Sequence, residues 1–364
     1  MNKIKLAVIG LGYIGQRHLE KIVNLQNIEI AAVCSRRRQH GQDIAAKYNC
    51  RPFSDYHQLL AAKVCQAVLI ATPHYSHTAI GIDALNAGYH VLVEKPISVH
   101  KADCKRLIAA HTNKDQVFAA MFNQRTMGAY RKIKYMIDGG ELGELMRVNW
   151  IITDWFRTDA YYSSGSWRAT WDGEGGGVLV NQCPHQLDLL QWLCGMPEKV
   201  VGFCGLGKRH DIQVEDEVTA YMEFANGATG VFIASTGEAP GTNRLEICGE
   251  NGKVVLEGNK LCFTRNEVPC TEFKKTSTKP MAKPNVSVID IEVTDPEDQR
   301  AEIIKNFANA ILSGEKLIAP AEEGIHSVEL ANAILYSSLT ANPVELPLDG
   351  RAYEEKLLEL INNS

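Results

Sequence analysis

Apolar residues follow two rhythms along this chain. Up to about residue 122, short unbroken apolar runs alternate with stretches whose apolar positions recur every three or four residues. Unbroken runs suit strands buried on both faces, and the wider spacing suits helices with one apolar face. Strands are expected at Ile4–Ile9, Ile28–Cys34, Ala67–Ala71, His90–Val93 and Val117–Met121. Helices are expected at Gln16–Leu25 (apolar at Leu19, Ile22 and Val23), Gln39–Lys47, Tyr56–Ala61, His77–Ala87 and Lys101–Thr112. Strand–helix alternation of this kind predicts a doubly wound parallel sheet, with ligands beyond the carboxyl ends of its strands.

From residue 123 the rhythm changes. A helix over Ala129–Ile137 stops at Gly139-Gly140, and longer β-rich runs follow at Met146–Trp155, Lys199–Phe203, Glu217–Phe224, Thr229–Ser235, Arg244–Cys248 and Lys253–Leu256. Asn226-Gly227, Glu250-Asn251-Gly252 and Gly258-Asn259 separate several of them, as hairpins require. The fold class is therefore α/β: a first domain over residues 1–122, then an α+β domain over 123–364 with a large open, mostly antiparallel sheet. Residues 276–296, rich in Lys, Thr and Pro, read as a long loop. Closing helices at Arg300–Leu312 and Ile325–Thr340 are expected to pack back across both domains.

Composition narrows the function. Lys and Arg number 38 against 43 Asp and Glu, with no strongly basic stretch, which disfavours nucleic acid as a partner. No apolar run approaches the roughly 20 residues that span a bilayer. The amino terminus reads as a strand broken by glycine rather than a signal peptide. Ten cysteines stand singly, without C-x-x-C, which gives a zinc site no support and suits a reducing cytoplasm.

The first chemical signal follows the first strand: Gly10-Leu11-Gly12-Tyr13-Ile14-Gly15, a G-x-G-x-x-G at a strand-to-helix turn. Gly10 makes the tight turn, Gly12 admits a pyrophosphate, and Gly15 lets the helix sit close on the strand. This is the fingerprint of a dinucleotide-binding Rossmann domain, the diphosphate resting on the helix N-terminus. After the second strand an NAD site usually supplies an acid for the ribose hydroxyls. Here the chain has Ser35-Arg36-Arg37-Arg38, and a hydroxyl followed by guanidinium groups favours the 2′-phosphate of NADP(H) over NAD(H).

Two more segments carry chemistry. The His90–Val93 strand runs into Glu94-Lys95-Pro96, placing a lysine where its ammonium can steady a substrate alkoxide. In the second domain a glycine tract, Gly175-Gly176-Gly177, leads to Asn181, His185 and Asp188 at i, i+4 and i+7, one face of a continuous helix. Leu187, Leu190 and Leu193 then supply core. Asn181 could otherwise cap that helix, although Pro184 offers no N–H for such a cap. Ahead of the tract, Asp154, Arg157, Tyr161, Tyr162, Trp167, Arg168 and Trp171 gather aromatic and hydrogen-bonding side chains suited to a sugar ring. The substrate pocket is expected between the two domains.

Taken together, the Gly10–Gly15 fingerprint, Ala71-Thr72-Pro73 with His77, Glu94-Lys95-Pro96, Trp167-Arg168 and the glycine tract leading to His185 resemble the Gfo/Idh/MocA family, the glucose–fructose oxidoreductase and inositol dehydrogenase group. The resemblance implies a C-terminal open sheet used in homo-oligomer contacts and NAD(P)-dependent oxidation or reduction of sugars and polyols. It implies Lys95 and His185 as the catalytic pair. It also implies Tyr13, Ile14, Thr72, Pro73, His77, Glu94 and Lys95 among the cofactor contacts. For the substrate it implies Lys95, Asp154, Arg157, Tyr162, Trp167, Arg168, Asn181 and His185. Asn181 departs from the family, which often has Asp there; an amide holds a hydroxyl but accepts no proton as a carboxylate does.

The expected protein is thus a cytoplasmic enzyme oxidising a secondary hydroxyl of a small-molecule sugar, glycoside or polyol, C3 of a glucoside being one target, or reducing the matching ketone. It needs no metal, membrane or nucleic acid. Two rivals stand beside this reading: a glycoside-cleaving enzyme that keeps and recycles its NAD(P), and a non-catalytic dinucleotide sensor.

Overall fold

The computed structural model describes residues 3–364, and the chain divides into two compact units. One holds residues 3–126, 173–175 and 296–328; the other holds 127–172, 176–295 and 329–364. The first unit thus passes the 122/123 boundary of the sequence reading and takes in a later stretch of chain.

The first unit builds a six-stranded parallel sheet. Its elements are β1 Ile4–Ile9, α1 Tyr13–Ile22, β2 Ile28–Cys34, α2 Arg38–Tyr48, β3 Arg51–Phe53, α3 Tyr56–Ala61, β4 Ala67–Ile70, α4 Tyr75–Asn86, β5 His90–Val93, α5 Lys101–Ala109 and β6 Phe118–Ala120. Strand order is β3-β2-β1-β4-β5-β6, so the winding reverses between β1 and β4. That switch point is where open α/β sheets bind ligands. The unbroken apolar runs become strands because both faces are covered: Val8, Val33, Leu69 and Leu92 are all fully buried. α1 begins earlier than its apolar spacing suggests, since the glycine turn supplies the first helical bond, Gln16 N–H to Gly12 O at 3.1 Å. Val23 falls past its end and is 60% exposed, so it is not part of the packed face.

The second unit builds a nine-stranded sheet, antiparallel apart from one parallel pair. It opens with α6 Gly128–Asp138, β7 Leu145–Ile152 and α7 Asp159–Tyr162, and continues with α8 Pro184–Cys194, β8 Lys199–Leu206, β9 Glu215–Glu223, β10 Thr229–Ser235, β11 Asn243–Gly249, β12 Gly252–Glu257, β13 Lys260–Asn266, α9 Cys270–Thr276 and β14 Val286–Ile291. Strand order is β14-β13-β12-β11-β7-β10-β9-β8-β15, the last being Val344–Glu345. The expected loop over 276–296 is corrected by β14, which pairs antiparallel with β13 at the sheet edge. Its residues are exposed almost throughout, so no buried face marks it in the sequence.

The closing helices are α10 Gln299–Ser313, α11 Gly324–Thr340 and α12 Gly350–Asn362. α10 belongs to the first unit: Ile303, Ile304 and Phe307 join that core, and Lys21 pairs with Asp298 at 2.7 Å. Residues Glu329–Ser364 belong to the second unit. There the backbone of β8 meets α11, Gly202 N–H donating to Ser337 Oγ at 3.0 Å. Among the described residues no helix is long and apolar enough to cross a membrane.

Candidate functional site

In the first unit the site is built on the turn from β1 to α1. Gly10 has φ +98°, and a Cβ there would lie 2.5 Å from the Ala71 carbonyl oxygen. A Cβ on Gly15 would lie 1.9 Å from Gly10 O, so only glycine lets α1 sit this close to the strand end. Gly12 differs: a Cβ there would meet nothing within 4 Å, so no protein neighbour demands glycine and the space lies open. No side chain caps α1, whose first-turn N–H groups remain available to an anion. Beyond β4, Thr72 Oγ1 is buried and has no hydrogen-bond partner among the described residues. An open cradle, an uncapped helix start and an orphaned hydroxyl at the switch point fit a dinucleotide diphosphate. Tyr13 is exposed and Ile14 half-buried beside this cradle. Gly10 N–H donates to Cys34 O at 3.0 Å, which sets the end of β2 next to the turn. Ser35 Oγ there accepts from Arg37 N–H at 3.3 Å, and Arg36 is exposed.

Beneath the carboxyl ends of β4 and β5 lie several buried titratable groups. His77 Nδ1 is 2.8 Å from Pro96 O, and its Nε2 is 2.8 Å from Thr72 O. One ring thus ties the Thr72-Pro73 corner to the segment after Lys95. Burial holds the His77 pKa below its usual value, against the opposing pull of the two carbonyls. His74, with Nδ1 3.4 Å from Glu174 O, is pushed down to about 3 by burial first and then by His77 and Lys95. Glu94 is buried; its Oε1 lies 2.6 Å from His18 Nε2, and its Oε2 accepts from Lys95 N–H at 3.0 Å. The carboxylate expected among the cofactor contacts therefore serves at least in part to fix the Lys95 backbone. Lys95 itself is half-buried.

In the second unit the segment after β7 gathers around Tyr161. Its hydroxyl accepts from Arg168 Nη1 at 2.9 Å, from Asn181 Nδ2 at 3.1 Å and from Gln182 Nε2 at 3.3 Å. The Arg157 and Arg168 guanidinium groups lie 5.0 and 4.5 Å from the Tyr161 ring centre, and Arg168 also covers Trp167 at 4.6 Å. Tyr162 turns its hydroxyl to Thr236 Oγ1 at 2.8 Å, and burial pushes its pKa up to about 12. Asp154 stands apart, exposed, accepting from Asn243 Nδ2 at 3.2 Å.

Asn181 and His185 do not share one continuous helix, which corrects the sequence reading. Asn181 lies in a wide π-helical turn, Val178–Gln182, where Cys183 N–H reaches back to Val178 O at 2.8 Å. α8 starts only at Pro184, whose ring disfavours α-helical backbone at the residue before it. Asn181 is no cap either: the cap position is Cys183, whose side chain makes no capping hydrogen bond. His185 sits half-buried in the first turn of α8, while Asp188 is fully buried and accepts from Gln191 Nε2 at 3.2 Å.

Several positioning residues escape a reading of the sequence. Glu215, fully buried at the start of β9, accepts from Gly177 N–H at 2.8 Å and Leu179 N–H at 3.0 Å, fixing the turn that carries Asn181. Its neighbour Asp216 accepts from the N–H groups of Lys208, Arg209 and His210 and faces His210 Nδ1 at 3.0 Å. His210 Nε2 lies 2.9 Å from the Arg157 carbonyl, and its ring packs on Tyr162 with centres 4.8 Å apart. No local pattern marks them, since Glu215, Asp216 and His210 stand among other charged residues in the sequence.

Known proteins resemble the chain in both units. Residues 4–122 match the oxidoreductase family with an NAD-binding Rossmann fold, and residues 130–255 match the GFO/IDH/MocA C-terminal domain. Inositol 2-dehydrogenase of Salmonella typhimurium is 28% identical over 54% of this chain; the match spans just over half, 56%, of that relative's length. D-glucoside 3-dehydrogenase of Escherichia coli is 24% identical over 94% of this chain and 97% of its own. The WlbA dehydrogenase of Bordetella pertussis, solved with NADH and UDP-GlcNAcA, superposes with a TM-score of 0.81 at 25% identity, covering 96% of this chain and all of that one. Matched in both halves by models of one family and sharing its fold, the chain belongs to the Gfo/Idh/MocA oxidoreductases.

Proposed function

We propose that this protein is an NAD(P)-dependent dehydrogenase oxidising a secondary hydroxyl of a sugar, glycoside or polyol, or reducing the matching ketone. The observation that carries this reading is the open cradle at Gly12, set at the β1/β4 switch point beside the orphaned Thr72 hydroxyl. Gly10, Gly12, Tyr13, Ile14 and Gly15 would hold the diphosphate, with Thr72, Pro73 and His77 shaping the floor. A bound nicotinamide supplies the hydride-transfer chemistry. Lys95 steadies the substrate alkoxide through its ammonium, and His185 takes the hydroxyl proton. Arg157, Tyr162, Trp167, Arg168 and Asn181 orient the sugar through hydrogen bonds and flat aromatic faces.

At the adenosine end the preferred cofactor is NADP(H). Support comes from the absence of an acid directly after β2, where Ser35 and exposed Arg36 stand instead. Relatives acting on inositol and on C3 of glucosides support a ring hydroxyl as the target. A second copy of the chain is the proposed partner of the open sheet. Val201, Phe203, Tyr221, Val231, Ile233 and Ile151 share its outer face by register, and Phe203 is 66% exposed. Light scattering of the purified protein tests that association.

The central experiment incubates the protein with NAD⁺ or NADP⁺ and a panel of inositols, glucosides and free sugars. Cofactor reduction in step with sugar oxidation is the expected result. Product formed without net reduction would instead identify the glycoside-cleaving reading with a recycled cofactor. No turnover with any of the panel would reject both.

A further inference from the structure

Arg157 is a half-buried cation of the second unit. Its Nη1 donates to Phe156 O at 3.1 Å, but its Nε is shut from solvent without a hydrogen-bond partner among the described residues. No carboxylate of the described residues forms an ion pair with it; Asp154 bonds Asn243, and Asp159 and Asp172 stand exposed without pairing to it. Its position is nonetheless firmly set. Arg157 N–H donates to Thr236 O at 2.8 Å, and its carbonyl lies 2.9 Å from His210 Nε2, so both sides of its backbone are held. The guanidinium lies over Trp155 at 5.2 Å and over Tyr161 at 5.0 Å, while Arg168 lies over the same tyrosine at 4.5 Å. Stacking on ring faces leaves the Nη1/Nη2 edge of the guanidinium, rather than the closed Nε side, to meet a ligand, and that edge matches a carboxylate or phosphoryl group in a two-bond fork.

Two guanidinium groups over one ring concentrate positive charge at that place. From this geometry we propose that Arg157, with Arg168, forms a subsite for an anionic substituent, so that the sugar bound here carries a carboxylate or a phosphoryl group. The proposal rests on the sugar-dehydrogenase reading and narrows its substrate class. Tyr161 is the platform between the cations, and Asn181, bonded to the Tyr161 hydroxyl, joins the subsite to the turn ahead of His185.

The test is calorimetric binding of glucuronate, glucose 6-phosphate and glucose to the protein saturated with cofactor, at low and high salt. At least one acidic probe should bind about 10-fold or more tightly than glucose, the scale of a charge-assisted fork. Preference for glucuronate identifies a carboxylate and preference for glucose 6-phosphate a phosphoryl group. Added salt should shrink the difference, Arg157→Gln should erase it, and Arg157→Lys, which keeps charge but loses the fork, should retain part of it. Acidic probes binding no tighter than glucose, or not at all, overturn the subsite. So does a preference that survives in a folded Arg157→Gln. Cofactor reduction measured on the same samples separates the two readings. Reduction without charge preference rejects only the subsite, and charge-selective binding without any reduction rejects only the dehydrogenase.

Discussion

His18 on α1 holds Glu94 at the end of β5: Nε2 and Oε1 are 2.6 Å apart, with the histidine fully buried. The same carboxylate accepts from Lys95 N–H, so one side chain couples the dinucleotide-binding helix to the backbone of the proposed catalytic lysine. Removing one partner of a buried, hydrogen-bonded pair costs about 2–5 kcal/mol. His18→Ala should therefore lower the melting temperature and also kcat, through a displaced Lys95. Glu94→Gln, which keeps the shape, should cost less in melting than in kcat. Normal kcat in both variants would show that the tie supports the fold alone.

Lys95→Ala and His185→Ala should each cut turnover by about 10²-fold or more, the usual scale for a proton-handling group. Cofactor affinity, read by fluorescence titration, should change little, since neither side chain is assigned to the diphosphate. A variant that keeps near-normal turnover loses its assignment.

The adenosine side is tested by Ser35→Asp combined with Arg36→Ala. An acid after β2 repels a 2′-phosphate and binds ribose hydroxyls, so NADP affinity should fall far more than NAD affinity. Equal losses, or a wild-type preference for NAD, would reject the NADP reading and leave the Gly12 cradle untouched.

His74 makes stability depend on pH. Its folded pKa is lowered to about 3 by burial, whereas the unfolded ring titrates near 6.5. Between these values the unfolded chain binds a proton that the folded one refuses, so stability falls as pH drops through this window. Above pH 6.5 the group contributes no pH dependence. The slope is about 1.4 kcal/mol per pH unit for one such group. Denaturant titrations of His74→Asn at several pH values should show that share of the acid sensitivity removed; an unchanged slope would mean the ring is protonated in the fold.

His210→Phe keeps a ring against Tyr162 but abandons Asp216 and the Arg157 carbonyl. The expected outcome is a rise in substrate KM several times larger than any fall in kcat, because the segment carrying Arg157 loses an anchor while Lys95 and His185 are unaltered. A variant with unchanged KM would show that Thr236 alone holds the segment.

The family and most strands of both sheets were legible in the sequence because their signals are local, while β3, β13 and β15 went unread. A strand buried on two faces must be an unbroken apolar run, and a glycine turn against a helix start must space its glycines as Gly10, Gly12 and Gly15 are spaced. β14 was not legible, since an exposed edge strand carries no buried face to betray it. Asn181 was misplaced because periodicity assumes one unbroken helix, whereas the backbone before Pro184 widens into a π-helical turn. Its bond to the Tyr161 hydroxyl was equally hidden, since the two residues meet only when separate segments fold together. The same holds for His18 with Glu94, and for Glu215 and Asp216, adjacent on β9 yet anchoring different segments. Sequence alone thus determined the fold class, the dinucleotide turn and the types of side chain available for chemistry. Only tertiary structure decided which carboxylates are already taken by buried partners and that half-buried Arg157 pairs with no carboxylate of the described residues, because those pairings depend on distances across the fold that no local pattern encodes.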